Sequence, residues 1–217
     1  MIDMKTKKII ILLVALALSA SVGAKSLGDL WLSMPDSLKP ILNKSIRLEF
    51  VKMKEMGVKA ETKNLLGESC VMDTLSADYL KLSTSESSSL QIMLLPRSGS
   101  DSLLCVVETF LGPEKECSIT FYDQHWKKVC TQDFLPADVY SVDRYFKAKP
   151  DTISEDKYQE LHLTLEPRMW IAELSIEDKS LAIRLSLPLV SKEEKRWLND
   201  VLSQRKFKWN GRRFNEI

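Results

Sequence analysis

The hydrophobic period of this chain changes at residue 58, and that change constrains its fold more than any other feature. Upstream, apolar residues recur at helical spacing. Downstream, Val58-Lys-Ala-Glu-Thr62 alternates, and short apolar runs follow at 69–75, 79–84, 88–95, 102–110, 117–122 and 127–131. A period of two, broken by turn residues, reads as a β-meander. The polar segment Ser-Thr-Ser-Glu-Ser-Ser-Ser at 83–89 is a turn between strands, too short to separate domains.

The flanks of the meander read as helices and further strands. Ser33-Met-Pro-Asp36 has the form of a capping box with an early proline, and Pro40 then breaks that helix. Ser45 caps a second helix carrying Ile46, Leu48, Phe50, Val51 and Met53, which Gly57 ends. Residues 134–148 form a helix-like or irregular connection with Val139, Val142, Tyr145 and Phe146 as its apolar stripe. Strands resume at 158–165, 168–176 and 180–187. Ser191-Lys-Glu-Glu194 caps a last helix with Trp197, Leu198, Val201 and Leu202 inward, ending near Gln204. Asn210-Gly211 turns a closing hairpin, since a type I′ turn needs positive φ at both central residues. Pairing Trp209 with Arg212 puts Phe207 opposite Phe214. The fold class is α+β: N-terminal helices, an antiparallel meander, a C-terminal helix and a closing hairpin. Residues 25–217 read as one domain. The stretch 147–151, with Pro150, is the candidate boundary between two halves; separately, Ser-Leu-Gln-Ile-Met-Leu-Leu-Pro at 89–96 is echoed at 180–188, as a duplication of halves or simply as two half-buried aliphatic strands would be.

Residues 1–24 carry a basic start (Lys5, Lys7, Lys8), an unbroken apolar run from Ile9 to Leu18, and small residues up to Ala24. This is the tripartite form of a secretory signal, with cleavage expected after Ala24. The apolar run would span about 15 Å as helix, half of the roughly 30 Å hydrocarbon core, so it is too short for an anchor. No cysteine lies near the cleavage point, which argues against a lipoprotein. The expected location is the periplasm or the outside of the cell. The chain has 31 basic and 30 acidic residues. Losing residues 1–24 removes three lysines and one aspartate and leaves it near neutral. Such a chain carries no global field to attract nucleic acid or an anionic membrane.

Chemistry is sparse. Of the two histidines, His125 lies in the Asp-Gln-His-Trp turn, and His162 is expected on the polar face of a strand with Glu160 and Thr164. There is no GxSxG elbow, and Ser154-Glu-Asp-Lys157 is explained as readily by helix capping from Thr152-Ile-Ser-Glu155. Cys105, Cys117 and Cys130 are too far apart in sequence for a zinc site, and Cys70 has no assigned partner. No P-loop, HExxH or EF-hand occurs, and seven unclustered glycines make no phosphate cradle. No catalytic, metal or cofactor site is assigned, and paired carboxylates remain open as a class.

Two features remain. The hairpin interleaves Arg205, Lys206, Lys208, Arg212 and Arg213 with Phe207, Trp209 and Phe214. It could meet an anionic glycan or headgroup, or simply close the core with charges guarding an edge. Among the cysteines, pairing Leu111 with Glu116 puts Cys105 opposite Tyr122, too far from Cys117 to bridge it. Pairing Tyr122 with Lys127 makes Cys117 and Cys130 diagonal neighbours, the one pair close enough for a disulfide; otherwise the cysteines serve as small apolar residues.

Several stretches carry a resemblance: Leu-Trp-Leu-Ser-Met-Pro-Asp-Ser at 30–37 continuing to Asn43, Lys-Ala-Glu-Thr-Lys-Asn-Leu-Leu-Gly at 59–67, the 87–96 segment, and 103–130. Together they resemble an uncharacterised exported family of the Bacteroidales. The resemblance implies an envelope location and supplies no activity or site residues. It also implies O-glycosylation at Asp followed by Ser or Thr and an aliphatic residue, which here designates Ser37, Thr74, Ser102 and Thr152; the same Asp-Ser and Asp-Thr pairs also mark turns and caps at the starts of strands and helices. The function expected is non-catalytic: an envelope binding or accessory protein whose partner is another envelope protein or a glycan. An envelope enzyme acting on glycan is the alternative. A concave carboxylate cluster would favour the enzyme, and an uncovered sheet edge the binding module.

Overall fold

The computed structural model describes residues 25–97, 101–112, 114–163, 165, 168–187 and 190–217, so the expected signal segment lies outside the described residues. The described chain is α+β. Helix α1 (Leu27–Ser33) and helix α2 (Lys44–Glu55) precede seven strands: β1 (Glu61–Lys63), β2 (Ser69–Leu75), β3 (Tyr79–Ser85), β4 (Ser88–Pro96), β5 (Ser102–Phe110), β6 (Glu116–Tyr122) and β7 (Lys128–Val129). These form an antiparallel sheet in sequence order. Helix α3 (Glu155–Leu163), strands β8 (Met169–Ser175) and β9 (Ser180–Ser186), helix α4 (Lys192–Val201) and strands β10 (Arg205–Trp209) and β11 (Phe214–Glu216) complete the chain. The last four strands make a second antiparallel sheet, ordered β11-β10-β9-β8.

The two sheets and the helices stack in three layers. On one face of the meander, Leu80, Leu82, Leu90, Ile92, Leu104 and Val106 pack against Leu30, Trp31, Phe50 and Val51 of the helices. On the other, Met93, Leu95, Leu103, Cys105, Val107, Ile119 and Phe121 pack against Leu174, Leu181, Ile183, Phe207 and Phe214 of the second sheet. Strands β4 and β5 are therefore buried on both faces, and their sequences run almost continuously apolar.

The outer edge of β8 is sealed by side chains of the meander. Buried Gln91 accepts the Leu174 N–H through Oε1 at 3.0 Å and the Tyr79 hydroxyl at 3.2 Å. The bond to Leu174 spares a buried edge group the roughly 1–3 kcal/mol cost of going unsatisfied.

Several local expectations are corrected. Helix α1 is capped by Ser26 in a reciprocal box with Asp29, while Ser33 ends it and donates to the Leu30 carbonyl. Residues 36–38 make only a 3-10 turn. Asn43, not Ser45, caps α2 by accepting the Ile46 N–H. Residues 155–163 are helix rather than strand. Ser154 caps them through the Lys157 N–H, and Leu161 and Leu165 face inward one turn apart while Leu163 is 81% exposed. The hairpin registers also move. Phe110 pairs with Glu116, so Cys105 faces Phe121; Tyr122 pairs with Lys128; Trp209 pairs with Phe214. In the last case Asn210 uses Oδ1 to accept the N–H groups of both Arg212 and Arg213, holding a four-residue turn. The capping box of Ser191 with Glu194 forms as expected.

Candidate functional site

The site that the fold builds lies where β9 outruns β10. Strand β10 begins opposite Ile183, so the end of β9, from Arg184 to Ser186, has β8 on one side and no strand on the other. The cause lies just after α4. There the chain turns from β9 toward residues 145–147: Lys147 donates its N–H to the Val201 carbonyl at 2.7 Å, Phe146 bridges Leu202, and Ser203 gives both its N–H and its hydroxyl to the Tyr145 carbonyl. Between this departing segment, α4 and the β9 edge is a cleft of about 200 Å³.

Leu185, Leu187 and Leu202 supply its apolar lining, and Arg184, Lys195, Asn199, Ser203 and Gln204 its polar lining. The carboxylate present is that of Glu114, from the β5–β6 connection, and Lys195 holds it in an ion pair across the mouth. Arg184 has no ion-pair partner among the described residues. The cleft thus offers a free guanidinium, amides and a hydroxyl above an aliphatic floor. The guanidinium, amides and hydroxyl can donate hydrogen bonds to an anion or a peptide carbonyl. Ser186, between two lining residues, buries its hydroxyl with no hydrogen-bond partner among the described residues.

The basic hairpin does not form one patch. Arg205 points into the core with 4% exposure and is clamped by Glu216 and Asp138. Lys206 pairs with Asp178 at 2.6 Å, and Lys208 is exposed on the outer face of the sheet. Arg213 donates to the Leu135 carbonyl, and Arg212 borders an open depression with Arg97, Asp101, Asp133 and Phe134. Alternation along β10 separates them: odd positions carry the buried Phe207 and Trp209, and Arg205 shares their parity.

The Cys117–Cys130 bridge is not formed; all four cysteines are free thiols. In the observed register Val129 faces Phe121, so Cys130 follows opposite Thr120, on the reverse face from Cys117 and three positions along the strand. Burial pushes the Cys117 thiol up to about 11 and raises Cys105 further, which suits packing rather than nucleophilic chemistry. Of the designated glycan acceptors, Ser37 and Thr152 are exposed, Thr74 is half-buried beside a β-bulge, and Ser102 is buried as it pairs with Pro96. His125 is exposed in its turn. His162 stacks on Phe146 with ring centroids 3.4 Å apart and meets Tyr158 edge-on; Thr164 lies outside the described residues. Among the described residues no group of three or more His, Cys, Asp or Glu is placed to hold a metal, and no helix is long and apolar enough to cross a membrane.

Arg184, Lys195, Asn199, Ser203 and Gln204 are ordinary polar residues of a strand end, a helix face and a loop. What gathers them is the swerve at Ser203, which no local sequence pattern encodes.

A helix-covered antiparallel meander backed by a second sheet, with a cleft at that sheet's interrupted edge, defines an α+β scaffold. Residues 19–214 match the family described as "Protein of unknown function (DUF3256)", and the chain belongs to that family. Among solved structures, a domain of an uncharacterized protein from Porphyromonas gingivalis W83 is similar over 90% of this chain and 99% of its own, with 26% identity and a TM-score of 0.74. No curated protein matches the sequence. The resemblance to an uncharacterised Bacteroidales family therefore holds.

Proposed function

We propose that this is an exported envelope protein, periplasmic or secreted, that acts as a non-catalytic binding or accessory module through the cleft beside α4. The uncovered edge of β9 carries the reading. It joins a free main-chain edge, an unpaired guanidinium and an aliphatic floor, while the carboxylate at the mouth is already engaged by Lys195. Export rests on the basic, apolar and small-residue order of residues 1–24. Ser37 and Thr152 are the accessible acceptors for the O-glycan that the family resemblance implies.

Fractionation of native cells, with N-terminal sequencing of the protein, tests the location: a mature start at Lys25 in the envelope fraction is expected, and a cytoplasmic chain beginning at Met1 would refute export. Amide chemical-shift mapping with small carboxylates and peptides tests the binding role. Perturbations at β9 and α4 are expected; release of sugar from envelope glycan, without binding at the cleft, would establish the enzyme alternative instead. Intact mass from the native host equal to the bare chain would remove the glycan.

A further inference from the structure

We propose that the cleft captures the carboxyl-terminal end of an extended peptide, which adds one rung to the ladder at Leu185 and places its carboxylate on Arg184. This rests on the binding-module reading and names its ligand.

The main-chain geometry comes first. In an antiparallel ladder, successive residues turn their N–H and C=O groups alternately to the two sides. Leu174 donates its N–H away from β9, to Gln91, so Leu174 and Leu181 are a pair that exchanges no hydrogen bonds. The same parity makes Trp170 and Leu185 such a pair, with the polar groups of Leu185 turned away from β8. The far side agrees: Trp209 donates its N–H to the Lys179 carbonyl, so odd residues of β9 and its approach face β10. Continuing the register, Ser203 would be Leu185's partner. It is not, because Ser203 gives its N–H to the Tyr145 carbonyl at 2.7 Å. Among the described residues, Leu185 therefore presents one unmatched rung toward the cleft it lines.

The side chains indicate what fills it. A peptide adding to a strand edge gains affinity from main-chain bonds and specificity from flanking pockets. Here the flank is aliphatic at Leu187 and Leu202 and cationic at Arg184, while Lys195 is paired with Glu114. At about 200 Å³ the cleft is smaller than the roughly 300–1,000 Å³ of sites for drug-sized ligands, and it suits a chain end better than a long segment. A terminal carboxylate supplies the anion that Arg184 lacks, with Glu114 already taken up by Lys195.

The test uses the ¹⁵N-labelled protein with three probes: acetyl-Ala-Val-Ala with a free carboxylate, the same tripeptide as its C-terminal amide, and acetate. The free acid is expected to shift the Leu185 amide and slow its hydrogen exchange. Loss of one charge-assisted contact, in the amide-capped peptide or in Arg184→Ala, is expected to weaken binding about tenfold. Equal binding of the capped peptide would overturn the carboxylate assignment. Acetate and peptide perturbing Lys195 and Asn199 alike, with Leu185 unmoved, would make the cleft a simple anion site; that sinks the peptide and leaves the binding role. No response at β9 or α4 to any probe would sink both.

Discussion

Two arginines are buried among the described residues, one in each outer layer, and they are held by opposite chemistry. Arg47, on α2, is fully buried with its guanidinium 5.8 Å from the Trp31 ring. It donates to the backbone carbonyls of Leu42, at 2.7 Å, and Met34, and it reaches one acid, Asp36, whose side chain is 56% exposed. Arg205, on β10, lies over Tyr145 and Phe207. It makes a two-pronged pair with Glu216, at 2.7 and 2.9 Å, and also binds Asp138 through its carboxylate and carbonyl. Arg144 ties the same two acids from outside. Arg47 thus pins a loop by its peptide groups, while Arg205 pins the C-terminal strand by charge. A buried guanidinium can thus rest mainly on backbone carbonyls, with one exposed acid beside it and its Nε unpartnered among the described residues, or on two carboxylates; the arginine held by two carboxylates is the one whose support acid removes.

The largest effect that tests the contrast is Arg47→Met. It strands two buried carbonyls, and their loss should cost about 3–5 kcal/mol in urea unfolding. Arg205→Met should cost less, about 2–3 kcal/mol, because Asp138 and Glu216 keep 44% and 38% of their side chains exposed and can return to water. Equal losses would show that burial depth, not partner type, sets the cost. Removing an acid reverses the order. Glu216→Gln leaves Arg205 buried with a weakened partner and should cost about 1–2 kcal/mol.

Acid should act in the same direction as Glu216→Gln. Hydrogen bonds from Arg205 hold the carboxyls of both Glu216 and Asp138 below their ordinary values. A carboxylate depressed in the folded state adds stability that is present above its unfolded value, about 4, and is lost as pH falls through the folded one. Hydrogen exchange should therefore speed in β10 and β11 as pH drops below about 4, relative to the intrinsic rate, before it does so in α2. Simultaneous opening of both layers would break the comparison.

Much of the scaffold is legible in the sequence and little of the site is. The runs at 69–75, 79–84, 88–95 and 102–110 become β2 to β5 almost residue for residue, since period-two apolar spacing between turn residues is a local signal. Registers fail by a residue or two, as with Phe110–Glu116 and Trp209–Phe214, because side chains such as Asn210 set the turn. Helix 155–163 is missed since Leu161, Leu163 and Leu165 alternate; only packing decides that Leu163 stays outside. Arg205 looks like surface charge until Glu216, eleven residues on, folds back over it. Arg47 looks like one more polar position between Ile46 and Leu48. The Met-Pro-Asp segment that carries the family resemblance proves to be its cradle: the Met34 carbonyl and the Asp36 carboxylate both reach it. The cleft depends on where Ser203 sends one N–H, a tertiary choice.

The smallest effect is the most discriminating. Asp36→Asn removes the one counter-ion of Arg47 while leaving the Leu42 and Met34 carbonyls in place. Asp36 is more than half exposed, so its attraction to Arg47 is screened by water and the neutral amide can still accept from the guanidinium. The cost should fall under about 1 kcal/mol, below that of Glu216→Gln, although Arg47 is the more deeply buried arginine. A double-mutant cycle pairing Asp36→Asn with Arg47→Met should give a coupling smaller than the cycle of Glu216→Gln with Arg205→Met. If the Asp36 cycle gave the larger coupling, Arg47 would depend on its charge partner after all, and backbone carbonyls alone would not suffice to hold a buried guanidinium in this fold.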